Sequence, residues 1–249
     1  MNQGEDAQTS INLFGVALQN VSLDQAVQQI IKRTGVCELA PVFFVNAHCV
    51  NIAASDPDYR QILQRAPLVY ADGAGMQIAA RWARTPLIDN VNGTDLFPLL
   101  CETLQETNLK VFLFGGAHGV AEELKYNLET QYPKITICGV QDGFFDEIET
   151  PQIIQSIQDA KTDILLVAMG APKQEKWIAA YAAQTGARVA MGVGGLFNFY
   201  SGRIPRAPKW MRSCGLEWLH RMAQEPGRLW KRYLIGNLVF LIRVVFQQR

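Results

Sequence analysis

Residues 164–175 read Ile164-Leu165-Leu166-Val167-Ala168-Met169-Gly170-Ala171-Pro172-Lys173-Gln174-Glu175. Six apolar residues run without a polar break. A glycine then interrupts them, and a proline opens a helical stretch that extends to about Gln184. An unbroken apolar run of this length fits a strand covered on both faces, because a half-exposed strand alternates. The same strand–turn–helix unit recurs around Val42–Val45, Leu68–Tyr70, Val111–Phe114, Ile135–Cys138 and Arg188–Val193. Helical stretches fit between these runs. Ser22 with Gln25 makes a capping box that opens Leu23–Arg33. Thr94 is the expected cap of a helix through Thr107, and Thr150–Pro151 supplies a cap and a first-turn proline. This βαβα rhythm predicts an α/β fold with a mostly parallel sheet, right-handed crossovers and helices on both faces.

The formal net charge of zero hides a division. From Arg203 onward there are ten Lys/Arg against Glu217 and Glu225, while the preceding 202 residues hold 13 Lys/Arg and 21 Asp/Glu. Trp210, Trp218 and Trp230 also fall in this tail. Two units are therefore expected, an α/β body over 1–202 and a basic, mainly helical appendage over 203–249. An acidic body with a basic, aromatic tail suits an anionic surface, either a membrane or a polyphosphate. The apolar stretch Tyr233–Phe246 is shorter than the roughly 20 residues a spanning helix needs. It reads either as a core helix or as a helix lying at the bilayer interface. The polar start MNQGEDAQTS is not of signal-peptide type. Five scattered cysteines with no CxxC pair suit free thiols in a reducing compartment. The three histidines give no local zinc pattern.

In such a sheet, ligands bind beyond the carboxyl ends of the strands. Four loops there invite chemistry. In Asp72-Gly73-Ala74-Gly75, Asp72 is placed to act as a general base or else to cap the next helix. Gly115-Gly116-Ala117-His118-Gly119 resembles a phosphate-cradling turn. Lys173, Gln174 and Glu175 fall in the first turn of a helix, where backbone N–H groups converge. Gly192-Val193-Gly194-Gly195 leads to Asn198 and suggests a ligand touching backbone, or a tight turn alone.

Together these segments resemble the WecG/TagA/CpsF family of bacterial glycosyltransferases. The match runs through Ala71-Asp72-Gly73-Ala74-Gly75, Gly93-Thr94-Asp95-Leu96, Gly170–Trp177 and Gly192–Phe197. It is strongest over Gly202-Arg203-Ile204-Pro205-Arg206-Ala207-Pro208-Lys209-Trp210 and Glu217-Trp218-Leu219-His220-Arg221. The resemblance implies a Rossmann-like, inverting, metal-independent enzyme without a cofactor. It moves a sugar, often of N-acetylmannosamine type, from a UDP-sugar to a polyprenyl-diphosphate-linked acceptor on the inner face of the plasma membrane. The proposed base of the family corresponds to Asp72, accompanied by Asn46. Its diphosphate-binding arginines correspond to Arg206, Arg221, Arg228 and Arg232. Phe44, Asn90 and Asn198 depart from the family pattern at positions that bear on sugar or acceptor recognition.

Two other classes remain open at this stage: a catalytically silent nucleotide-sugar or polyphosphate binder docked by its tail, and a nucleic-acid binder. The acidic body disfavours the second. Trp210 and Trp218 suit a homo-oligomer interface as well as lipid.

Overall fold

The computed structural model describes residues 10–246; the polar start at 1–9 and the last three residues lie outside the described residues. The strands are β1 (Ser10–Leu13), β2 (Val16–Gln19), β3 (Ala40–Val45), β4 (Leu68–Ala71), β5 (Lys110–Gly115), β6 (Thr136–Gln141), β7 (Ile164–Ala168) and β8 (Val189–Gly192). They form one sheet in the order β1-β2-β4-β3-β8-β7-β5-β6. Every neighbouring pair is parallel except β1 with β2. Helices cover both faces, which is the expected α/β class.

Strand alternation divides the core in two. Val42 and Phe44 of β3, Val111 and Leu113 of β5, and Ile164 and Leu166 of β7 pack on one face. Phe43 and Val45, Phe112 and Phe114, and Leu165 and Val167 pack on the other. Both sets are apolar, so the runs show no polar period in sequence. The β1–β2 hairpin had no such signal. Its strands are four residues each, and β1 is partly exposed at the sheet edge.

Several boundaries differ from the sequence reading. The capping box at Ser22 forms, with Gln25 N donating to Ser22 Oγ at 3.3 Å and Ser22 N donating to Gln25 Oε1 at 3.0 Å. The helix expected to be capped by Thr94 instead spans Gly93–Leu104 and is capped by Asn92, whose Oδ1 accepts from Asp95 N at 2.8 Å. Thr150 lies inside the first turn of Thr150–Asp159, because a short 3₁₀ turn at Glu147–Glu149 precedes it. The helix after Pro172 spans Lys173–Tyr181 and tightens into a 3₁₀ turn at Ala182–Thr185. Strand β6 begins one residue late and reaches Gln141.

The tail is built into the body rather than hung from it. Pro226–Trp230, a π-helical turn at Lys231–Ile235 and the helix Gly236–Phe246 follow one another without a break. Leu229, Phe240 and Val244 are buried. Phe240 and Val244 belong to the same core face as Phe43 and Val69 of the sheet. The Phe240 ring lies 5.4 Å from that of Phe14. Asn51 Nδ2 donates to the Gly236 carbonyl at 2.7 Å, and Arg243 Nε donates to Asn51 Oδ1 at 3.2 Å. The core-helix reading of Tyr233–Phe246 thus holds for one stripe. Leu234, Ile235, Leu238, Leu241, Ile242, Val245 and Phe246 face outward. The composition break near Arg203 therefore does not coincide with a break in the core.

Removing a buried phenylalanine side chain costs about 3–5 kcal/mol. Phe240→Ala is expected to lower unfolding stability by that amount, whereas Leu238→Ala on the exposed stripe is expected to change it by less than about 1 kcal/mol. Urea unfolding of both variants checks this; equal losses would show that the tail helix is not core.

Candidate active site

The carboxyl ends of β3, β4, β5, β7 and β8 open into a single cleft of about 990 Å³. Roughly 300–1,000 Å³ is the usual range for small-molecule sites. The sheet forces this convergence, since parallel strands send every strand-to-helix loop out of the same edge.

Asn46 and Asp72 meet there, one residue beyond β3 and β4 respectively. Asn46 caps the helix Ala47–Ser55: its Oδ1 accepts from His48 N at 3.1 Å and Cys49 N at 3.2 Å. With the amide oxygen so occupied, its Nδ2 points the other way and donates to Asp72 Oδ2 at 3.2 Å. Asp72 does not cap the helix Ala74–Trp82, which has Gly73 at its start and no side-chain cap. The carboxylate is therefore free of a helix-capping duty. Burial pushes its pKa up, and the neighbouring Glu217 adds to this. The Asn46 hydrogen bond, Arg232 and Arg221 pull it back only in part. Asn90, a departure from the family pattern, braces this loop by accepting from Gly73 N at 2.7 Å. Phe44 presses its ring on Tyr70 at 5.8 Å and lines the cleft beside Gly93 and Thr94.

Across the cleft, Gln174 ties two loops together. Its Oε1 accepts from Gly170 N at 3.1 Å and from Gly194 N at 2.9 Å. Its Nε2 donates to Glu175 Oε1 at 2.9 Å. Both side chains are buried, although both border the cleft, contrary to the exposed donors expected for this turn. Glu175 Oε2 has no hydrogen-bond partner among the described residues. Burial raises the Glu175 carboxyl to about 7, against the opposing pull of Gln174. Lys173, Gly116, Gly194, Gly195 and Asn198 also line the cleft. Lys173 lies over the Phe145 ring at 5.0 Å.

The tail lines the cleft with Arg221, Arg228 and Arg232. Arg221 stacks over Phe199 at 5.1 Å. Arg228 is paired with Glu225 at 2.6 Å. Arg232 stands in the π-helical turn, and its Nε is buried with no partner among the described residues. Such a donor suits an anionic ligand. His48 also lines the cleft and escaped the sequence reading. Burial, followed by the nearby Arg232, lowers it to about 4, which keeps the imidazole neutral. Its signal was faint: a histidine two residues beyond a helix-capping asparagine. Among the described residues no group of three His, Cys, Asp or Glu side chains is placed to hold a metal ion.

Four expected site residues lie outside the cleft lining. Arg206 pairs with Asp95 at 2.7 Å and with Glu217 at 3.1 Å, and those two carboxylates take the charge intended for substrate. Arg212 joins Asp95 at 3.3 Å. The network fixes residues 206–217 onto the body. Gly115 permits β5 to pass β7, since a side chain would place Cβ 2.5 Å from the Ala168 oxygen. Gly75 leaves room for the Phe240 ring, 3.3 Å from where its Cβ would be. Gly73 takes a φ of 89° at the helix start, which favours glycine.

Glu175 generates a pH prediction. The unfolded carboxyl loses its proton near 4.5, and the folded one holds it to about 7. The contribution of Glu175 to stability is therefore complete below the first value and lost as pH rises through the second. Within that window the wild type is expected to lose up to about 1.4 kcal/mol per pH unit relative to Glu175→Gln, which has nothing to ionise. Thermal unfolding of both proteins across the window tests this; parallel profiles would remove Glu175 from the titration.

A family model described as "Glycosyl transferase WecG/TagA/CpsF family" matches residues 11–249. The chain is 30% identical over 245 residues to N-acetylglucosaminyldiphosphoundecaprenol N-acetyl-beta-D-mannosaminyltransferase of Staphylococcus aureus (strain MRSA252), covering 96% of this chain and 93% of that one. It is 32% identical over 195 residues to the protein of the same name in Bacillus subtilis (strain 168), covering 78% and 75%. The motifs quoted from the sequence, the cleft they line and these matches agree: the chain belongs to the WecG/TagA/CpsF glycosyltransferase family and is a glycosyltransferase.

Proposed function

We propose that this enzyme transfers an N-acetylmannosamine-type or related hexose from a UDP-sugar to a hydroxyl of an N-acetylglucosaminyl group carried on polyprenyl diphosphate. The observation that carries the proposal is the placing of Asp72 and the arginines of the tail on one cleft. The names of the Staphylococcus and Bacillus relatives supply the acceptor class and the sugar.

The chemistry assigns each group a task. The acceptor oxygen attacks the anomeric carbon from the side opposite the leaving diphosphate. Asp72 takes the hydroxyl proton as the new C–O bond forms. The bond from the anomeric carbon to the diphosphate oxygen breaks, and UDP leaves with the electron pair. A carboxylate whose pKa is raised by burial is a stronger base than an ordinary one. Asn46 holds one carboxylate oxygen and leaves the other for the acceptor. Arg221, Arg228 and Arg232 receive the charge that develops on the diphosphate. The Gly116, Gly170 and Gly194 loops let backbone approach the nucleotide sugar. Polysaccharide synthesis at the cell envelope is the setting that this acceptor implies.

The outward stripe of the tail helix supports a peripheral membrane location on the inner leaflet. No described helix is long and apolar enough to cross a membrane. The stripe instead supplies apolar side chains for the interface, and Lys231, exposed in the same helical segment, adds positive charge. Residues 203–249 thus serve both to close the site and to hold the enzyme where its acceptor is.

Asp72→Asn is expected to lower kcat by about 10²–10⁴-fold while the Kd for UDP-sugar stays within a few-fold. Single-turnover transfer and calorimetry measure the two quantities. Transfer within a few-fold of wild type would take Asp72 out of the base position.

The pH profile gives a second check. The positive charge of Arg232 draws the Asp72 pKa down from where burial alone would set it. Arg232→Gln is therefore expected to move the acid limb of kcat/KM to higher pH, besides reducing the rate. An unmoved limb would show that some other group sets it.

A further inference from the structure

A second cavity, of about 380 Å³, lies away from the cleft where the tail helix crosses the helix Ala47–Ser55. Arg60 and Arg243 line it together with Phe14, Val50, Ala54 and Phe246. We propose that this cavity seats the phosphate headgroup of an anionic phospholipid between Arg60 and Arg243, with the acyl chains leaving along Phe246 and the outward stripe of the tail.

Both arginines are held by their inner nitrogens, with donors to spare. Arg60 Nε donates to the Ala53 carbonyl at 2.8 Å, and its Nη2 makes a long contact with the Ala54 carbonyl at 3.4 Å. Arg243 Nε donates to Asn51 Oδ1 at 3.2 Å. A guanidinium has five N–H donors. Among the described residues neither arginine has a carboxylate partner. Asp56, near the end of the same helix, is taken by Lys176 at 2.6 Å. Two fixed cations with unspent donors on an apolar floor match a phosphodiester that carries hydrocarbon. The position selects lipid over a soluble phosphate. The cavity opens beside Phe246 at the end of the stripe formed by Leu238, Leu241, Ile242 and Val245, and all of these are exposed. A helix lying in the interface with that stripe down brings Arg243 to headgroup depth.

The inference rests on the peripheral membrane location proposed above, so the test separates the two. Full-length wild type, Arg243→Gln, Ala54→Glu and Lys231→Gln are sedimented with vesicles of phosphatidylcholine alone or mixed with phosphatidylglycerol. Ala54→Glu supplies an internal carboxylate to the cavity and leaves both arginines in place. Lys231→Gln removes one tail charge outside the cavity. Loss of one basic residue near an anionic surface weakens binding about fivefold. Arg243→Gln and Ala54→Glu are expected to weaken binding to the mixed vesicles by about 20-fold or more, and Lys231→Gln by only about fivefold. Transfer to a soluble acceptor analogue should match wild type for all three, as should the melting temperatures of Ala54→Glu and Lys231→Gln; Arg243→Gln, which also gives up its bond to Asn51, should melt only slightly lower. Dihexanoyl-phosphatidylglycerol below its micellar concentration should bind wild type, and inorganic phosphate or the phosphatidylcholine analogue should not. If both cavity variants behave as Lys231→Gln does, the seat is overturned and only diffuse attraction remains. Inorganic phosphate binding as well as the short-chain lipid would overturn the lipid assignment. Failure of wild type to bind mixed vesicles at all would overturn the membrane location and the seat with it.

Discussion

A parallel sheet covered on both faces leaves polar groups few places to gather other than its strand ends. The central strands here place Val, Phe, Leu and Ile alternately on two dry core faces. Each strand then ends in a loop at the same edge, where backbone N–H groups and short polar side chains meet. Asn46, Asp72, Gly116, Gly170 and Gly194 reach the cleft for this one reason. Their common destination follows from topology, and their fine placement follows from hydrogen bonds within the loops.

Those bonds are economical. The Asn46 amide has one acceptor and two donors; the acceptor is spent on the helix start, which turns a donor toward Asp72. The Gln174 amide does the reverse, accepting from two loops and donating inward to Glu175. Each amide could be flipped only by breaking bonds at both ends. The cleft wall is thereby set before any ligand arrives, which reduces the ordering that binding would otherwise require. The two amides hold one carboxylate each, and burial raises both pKa values. Asp72 opens to the cleft, whereas Glu175 is enclosed. That difference separates a group that a ligand can reach from one that braces a wall.

Much of this was legible in the sequence. The apolar runs gave the central strands, because burial on both faces erases the polar alternation that makes other strands ambiguous. The glycine-rich loops marked the strand ends, and Asp72 stood out as a carboxylate between an apolar strand and glycines. The hairpin Ser10–Gln19 was not legible, since its strands are too short and too exposed for a periodic signal. Thr94 looked like a helix cap, yet Asn92 two residues earlier reaches the same backbone better. Arg206 was expected to meet substrate because the family resemblance places it among the diphosphate-binding arginines. Its partners, Asp95 and Glu217, are distant in sequence, and only the fold brings them together. The buried duty of Gln174 was equally hidden, since a polar residue in a helix's first turn normally faces water.

The tail shows why composition and architecture part company. Its positive charge marks it off in sequence, but a helix has several faces, and each of these is occupied differently. Phe240 and Val244 lie four residues apart, about one turn, and share one buried side against the sheet, while Leu229, before the π-helical turn, is buried beside the cleft. Arg228 and Arg232 sit one turn apart and reach the cleft. The outward residues from Leu234 to Phe246 form a third side. With roughly 1.5 Å of rise per residue, the segment from Arg228 to Phe246 spans about 27 Å. One continuous helical segment therefore reaches from the cleft-lining arginines to the apolar stripe. Its buried side fixes both ends in relation to the sheet. On the proposed function, a surface that held the stripe would hold the cleft-lining arginines by the same contacts, so membrane attachment and closure of the site would be one mechanical state rather than two.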